Sequence, residues 1–98
     1  MATDKTGATT TVTKEADRFT ISVDGSVAGF TEIDDRDGSR TFPHTEVDDA
    51  FRGRGLASIL IGEALQQTRD AGLEIVPVCS MVKSYIEKHP EFDDASDT

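Results

Sequence analysis

The sequence predicts a mixed α/β domain in which an antiparallel meander of short strands feeds one strand–helix–strand unit and a last helix. Three observations predict it. Residues 18–23, Arg-Phe-Thr-Ile-Ser-Val, alternate polar and apolar and run into Asp24-Gly25, so the period of a half-buried strand meets a strong hairpin signal. Between residues 53 and 71 the period changes. Leu56, Leu60 and Ala64 recur every four residues, as do Ala57, Ile61 and Leu65, which places them on one stripe of a helix. Residues 73–78 are then almost continuously apolar, the mark of a strand covered on both faces.

Taken in order, residues 1–9 are rich in Thr, Ala and Gly without periodicity and are expected as a flexible tail. A short strand is expected over 10–15, followed by the strand at 18–23. After Asp24-Gly25 its partner spans 26–33, where Val27, Ala28, Phe30 and Ile33 are apolar. Residues 34–38, Asp-Asp-Arg-Asp-Gly, are expected as a second turn, and a third strand spans 40–47. The helix over 53–71 ends at Gly72, a residue suited to the left-handed C′ position. A connection of this length from Val47 to Leu73 predicts a right-handed crossover and therefore a parallel pair. A second helix spans 80–88 with Met81, Val82, Tyr85 and Ile86 on one face, and His89-Pro90 stops it. Glu91-Phe92 is expected to return an aromatic ring to the core. Residues 93–98 form an acidic tail, leaving 10–92 as the compact domain.

Composition narrows the function. A 98-residue chain supports one domain with one core. Its net charge of −9 argues against nucleic acid, which demands clustered Lys and Arg. One cysteine, Cys79, allows no intrachain disulfide. The first residues lack the apolar core of a signal peptide, and no run approaches the length of a membrane span. A cytoplasmic protein that engages neither membrane nor nucleic acid, a monomer or weak dimer, is the expectation.

Phe51-Arg52-Gly53-Arg54-Gly55-Leu56-Ala57 stands at the mouth of the long helix. A helix N-terminus leaves N–H groups unpaired and carries partial positive charge. Glycines let that backbone approach a ligand, and arginines add planar charged donors. The combination suits a phosphate. A tight turn that needs small residues for packing alone is the plainer alternative. A dinucleotide fingerprint is excluded because the third glycine position is missing, and no Lys-Ser or Lys-Thr pair follows to make a phosphate loop. In a parallel pair ligands bind beyond the carboxyl ends of the strands, where both this turn and Cys79 fall.

At this point the chain resembles the GCN5-related N-acetyltransferases. Their signature is Gln or Arg, two residues, Gly, one residue, and Gly or Ala, met here by Arg52, Gly55 and Ala57. His44-Thr45-Glu46-Val47, Pro77-Val78-Cys79-Ser80, Tyr85-Ile86 and His89-Pro90-Glu91-Phe92 resemble the small YjdJ-type branch, so that the likeness covers about residues 10–92. The resemblance implies a twisted five-stranded mixed sheet and binding of acetyl-coenzyme A. It implies that the backbone from Arg52 to Ala57, with Gly53, Arg54, Gly55 and Leu56, holds the pyrophosphate. The strand ending at Val47 would pair with the pantetheine arm, in a gap that Pro77, which cannot donate to a ladder, helps to open. Most members continue with two further strands that shape the acceptor site; here only residues 93–98 follow, so a minimal acceptor half is expected.

Cys79 follows a strand and precedes a helix, where N–H groups favour a thiolate, and it could relay the acetyl group. The alternative is a small buried hydrophobe. His44 and Glu46 fall on one face of their strand and are candidates for removing a proton from an acceptor amine or from Cys79; the alternative is a polar pair facing solvent. Family members often use a glutamate on this strand, which favours Glu46. Tyr85 is expected in the core and His89 at the helix end. The expected activity is acetyl transfer from acetyl-coenzyme A to a primary amine of a small molecule or protein. The alternatives are a coenzyme A-binding module with little catalysis, and an interaction domain with no coenzyme A affinity.

Overall fold

The computed structural model describes residues 2–92, so Met1 and the acidic stretch 93–98 lie outside the described residues. Eight strands and two helices are found there: β1 Ala2–Thr3, β2 Thr9–Lys14, β3 Arg18–Val23, β4 Ser26–Glu32, β5 Asp34–Arg36, β6 Ser39–Phe42, β7 Thr45–Val47, α1 Leu56–Asp70, β8 Glu74–Pro77 and α2 Ser80–Lys88. Single turns of 3₁₀ helix cover Asp49–Phe51 and Pro90–Phe92.

The alternation in β3 is realised as expected, with Phe19, Ile21 and Val23 buried. Asp24 and Gly25 both take positive φ, 49° and 88°, the paired left-handed turn that matches strand twist. Asp37 and Gly38 repeat this geometry at 49° and 83°. The second turn is therefore only two residues long. Asp34–Arg36, expected inside the turn, pairs with β6 as β5.

The expected single five-stranded mixed sheet is instead two sheets. One is antiparallel, in the order β1-β2-β3-β4-β7; the other has the order β5-β6-β8. The strand expected over 40–47 is where they separate. Pro43 has no N–H to give to a ladder, and on either side of it the chain changes partners. β6 pairs parallel to β8, from Ser39 with Glu74 to Phe42 with Pro77, whereas β7 pairs antiparallel to β4. The parallel partner of the crossover is thus β6 and not the segment ending at Val47. Beyond Phe42 and Pro77 the two strands part, joined last by the Cys79 N–H to the Phe42 carbonyl at 2.8 Å.

Of the tail expected over residues 1–9, the described part, residues 2–9, is built in. β1 pairs with β2, and the following turn docks on the Gly-rich loop, with the Lys5 N–H on the Arg54 carbonyl at 3.0 Å. α1 begins at Leu56 rather than Gly53, because Gly53 and Gly55 have φ of 80° and 77° and cannot continue a right-handed helix. Gly72 occupies its left-handed position after the helix at 75°.

The stripe Leu56, Leu60, Ile61, Ala64 and Leu65 packs on Phe19, Ile21 and Phe42, and Val82 and Ile86 of α2 close the core. Phe92 returns to it beside Tyr85. β8 is the outer strand of its sheet and only Ile75 is buried, so the expectation of a strand covered on both faces is corrected. Val78 lies outside it, exposed. Met81 also departs from its expected place, pointing out toward the Gly-rich loop instead of into the core.

A guanidinium is buried in this core. Arg40 on β6 forms two parallel bonds to the Asp35 carboxylate at 2.7 and 2.8 Å, reaches the Thr68 hydroxyl at 3.3 Å and lies 5.5 Å from the Phe19 ring centre. Thr68 in turn donates to the Ala64 carbonyl, so its hydroxyl is satisfied inside the helix. No helix among the described residues is long and apolar enough to cross a membrane.

Candidate active site

The Gly-rich loop is fixed from both ends. Asp48 caps the 3₁₀ turn before it, its carboxylate accepting the Ala50 N–H at 2.9 Å. Gly53 and Gly55 then turn the chain through left-handed geometry into α1. Among the described residues, the N–H groups of residues 53–58 donate to no backbone carbonyl; the first bond of the helix entry is Ile59 N–H to Gly55 at 3.3 Å. These are the orphan donors of a helix start, gathered on one loop. The loop opens on a cleft of about 400 Å³ walled by Glu46, Val47, Phe51, the loop itself and Met81.

Its two arginines are less free than the sequence suggests. Arg52 pairs with Asp49 at 2.7 Å. Arg54 stands 3.4 Å from the carboxylate of Asp4 and over the Phe51 ring. Asp4 is buried and held below the ordinary carboxylate range chiefly by the Thr6 hydroxyl; burial opposes this, and the N–H groups of Ala8 and Thr6 and the charge of Arg54 reinforce it. The Asp49 partner was within reach of sequence reasoning, three residues away. Asp4, fifty positions away, was not.

Cys79 is buried at the start of α2, in the N-cap position. Burial pushes its thiol up, but the Thr45 hydroxyl and the N–H groups of Val82, Met81 and Thr45 outweigh it, so the net direction is down. Thr45 shares a 2.8 Å hydrogen bond with the Thr31 hydroxyl, and both threonines are buried. The Thr45 hydroxyl thus has the Thr31 hydroxyl as a hydrogen-bond partner beside the sulfur. Thr45→Val is expected to move the pH midpoint of Cys79 alkylation by iodoacetamide upward, and to cost about 1–3 kcal/mol because Thr31 loses its partner. An unmoved midpoint would show that Thr45 does not tune the thiol.

His44 Nε2 and Glu46 Oε1 are 3.0 Å apart, on side chains 49% and 63% exposed. They share one face of the strand while Thr45, between them, points the other way into the core beside Cys79. β7 thus stands between this pair and the thiol. The residues expected to act together form two groups, Glu46 with His44 beside it and Cys79 behind Thr45; Glu46 and Thr45 both line the cleft. Cys79 and His44 do not line the cleft itself.

Tyr85 is half-buried, its ring stacked on His89 at 4.0 Å and its hydroxyl packed on α1 where a Cβ on Gly62 would come within 2.6 Å. Burial first, and then Glu91, raises its pKa. His89 caps α2, with Nδ1 3.0 Å from the Tyr85 carbonyl oxygen. Tyr85 packs against the core and His89 stands at the helix end, the places expected of them.

Residues 18–95 match the model of the family described as GCN5-related N-acetyl-transferase. The chain belongs to that family, whose domain is associated with acyl transfer in general. No curated protein matches the chain.

Proposed function

We propose that the protein transfers acetyl from acetyl-coenzyme A to a primary amine on a small molecule or a protein. The observation that carries this reading is the row of unpaired N–H groups at residues 53–58, turned by two left-handed glycines onto a cleft beside the open edge of β7. A loop built that way suits a pyrophosphate, and the residues present fit the cofactor. Arg52, Gly53, Arg54, Gly55, Leu56 and Ala57 hold the phosphates, and the main chain up to Val47 meets the arm. Coenzyme A, when bound, supplies the acetyl group as a thioester.

The chain's own residues then offer two routes. In the direct route Glu46, 3.0 Å from His44 Nε2, would accept the proton that leaves the amine as its nitrogen bonds to the acyl carbon and coenzyme A departs as the thiolate. In the relay Cys79, having given its proton to solvent, would bond through Sγ to the acyl carbon as coenzyme A departs as the thiolate. The amine nitrogen then bonds to the acyl carbon, the C–S bond breaks, the proton leaves to solvent, and the thiolate returns to the donors of Thr45, Met81 and Val82. The position of His44 and Glu46 across β7 from the thiol favours direct transfer. A coenzyme A-binding module with little catalysis is the second reading, supported by the pairing of both loop arginines with acids and by the exposure of Glu46.

The test is intact mass after incubation with acetyl-coenzyme A, for wild type and Cys79→Ala, with coenzyme A binding followed by calorimetry and turnover scored on a panel of amines. Binding and turnover without an acetyl adduct are the expected result. An adduct lost in Cys79→Ala would establish the relay, and binding without turnover would leave the module. Absence of binding would remove the reading of the loop.

A further inference from the structure

Lys5 precedes the stretch that matches the family, residues 18–95, yet it lies on the Gly-rich loop. The turn that carries it is built around one carboxylate. Asp4 Oδ1 accepts the Thr6 N–H at 2.8 Å, the Thr6 hydroxyl at 2.6 Å and the Ala8 N–H at 3.0 Å, while Oδ2 faces Arg54. The main chain of Lys5 is tied to the Arg54 carbonyl. Its methylenes run over Gly55, where an added Cβ would lie 3.2 Å from Cε and 3.5 Å from Cγ. Only the Cε–Nζ bond then separates this packed stem from its ammonium. A long cationic side chain commonly packs in this way, stem on the protein and charge in water.

The charges around the loop give this cation its meaning. Arg52 has Asp49 as a partner and Arg54 has Asp4, while the Lys5 ammonium makes no ion pair among the described residues. The helix start supplies roughly half a positive charge. A pyrophosphate needs more, and Lys5 is the cation of the three that has no carboxylate to leave. We propose that Lys5 is a phosphate-binding residue of the coenzyme A site, contacting the pyrophosphate held by the loop, and that Asp4 positions it. The N-terminal turn thereby becomes part of the cofactor site. This inference rests on the coenzyme A reading above.

The test is calorimetry of wild type, Lys5→Gln and Lys5→Arg with coenzyme A, dephospho-coenzyme A, pantetheine and inorganic pyrophosphate, with melting temperatures alongside. Lys5→Gln is expected to weaken coenzyme A and dephospho-coenzyme A equally, by about tenfold, and to leave pantetheine unchanged. Lys5→Arg restores most of the affinity, and neither variant changes the melting temperature, because the ammonium is in solvent. Asp4→Asn, which weakens the hold on the turn, is expected to lower affinity in the same pattern. Wild-type affinity in Lys5→Gln would overturn the proposal. So would a loss shared by pantetheine, which would mark a packing effect, or a loss confined to coenzyme A, which would place Lys5 on the 3′-phosphate. If wild type binds pyrophosphate through Lys5 but not coenzyme A, the anion site stands and the cofactor reading falls; if it binds neither, both fall.

Discussion

Asp35→Ala is expected to remove about 2 to 3 kcal/mol of stability, a large share of what a domain of this size possesses. The reason is the state in which it leaves Arg40. That side chain is 4% exposed and, among the described residues, has only the Thr68 hydroxyl as a remaining side-chain hydrogen-bond partner, so its charge would sit in the core without a counter-ion. Breaking a fully buried pair costs more; Asp35 itself is 42% exposed, and water entering its place softens the loss. The melting temperature should fall by about 10 to 20 °C. The cost also depends on pH. The hydrogen bonds from Arg40 are the largest cause of the lowered Asp35 pKa, burial opposes them, and the charges of Arg40 and Lys14 add to the lowering. A depressed carboxylate contributes stability that is complete above the unfolded pKa and lost as pH falls through the folded one. The gap between wild type and Asp35→Ala should therefore be widest near neutrality and close in acid. A gap that stays constant in acid melts would show that the pair is not what holds β5, β6 and α1 together. The double replacement Asp35→Ala with Arg40→Met should cost less than the sum of the single ones, since the stranded charge goes with it.

Gly55→Ala is expected to lower coenzyme A affinity by about 10- to 100-fold while leaving the protein folded. At φ of 77° an alanine is strained by about 1–2 kcal/mol, and the loop can relieve this only by turning its N–H groups away from their present direction. The new Cβ also meets the flexible stem of Lys5, which can move at little cost. Gly72→Ala is the matching control. It has a φ of 75°, sits at the other end of α1, and has nothing within 4 Å of the added Cβ. Both variants should lose similar stability in thermal melts, and only Gly55→Ala should lose affinity. Equal affinity in the two would disconnect the loop from the phosphates.

Much of this was legible along the chain. The alternation of Phe19, Ile21 and Val23, the Asp24-Gly25 turn, the stripe of α1 and the span of α2 are local signals that the core then enforces. The family signature at Arg52, Gly55 and Ala57 placed the loop before any contact was known. The division at Pro43 was not visible, because Phe42, Thr45 and Val47 read as one plausible strand and only the partners on either side show the break. Burial of Arg40 and Thr68 was equally hidden. A charged residue and a hydroxyl enter a core only when distant groups satisfy them, and sequence spacing does not report a partner twenty-eight residues away. The N-terminal turn had a faint signal in Asp4-Lys5-Thr6-Gly7, an acid placed to accept main-chain N–H groups, which the lack of periodicity obscured.

The open edge of β7 has one more consequence, for how copies of this chain meet each other. A free strand edge is a template on which other chains can stack. β7 offers only three residues, begins directly after the Pro43-His44 break in the ladder, and runs into the 3₁₀ turn at Asp49. A strand of the usual length of about five or six residues finds no matching row of partners there. Glu46 adds a carboxylate to the approach, and Met81 walls the cleft beyond it. On the proposed reading, so short an edge suits a slender chain with a few amide groups better than another protein's sheet.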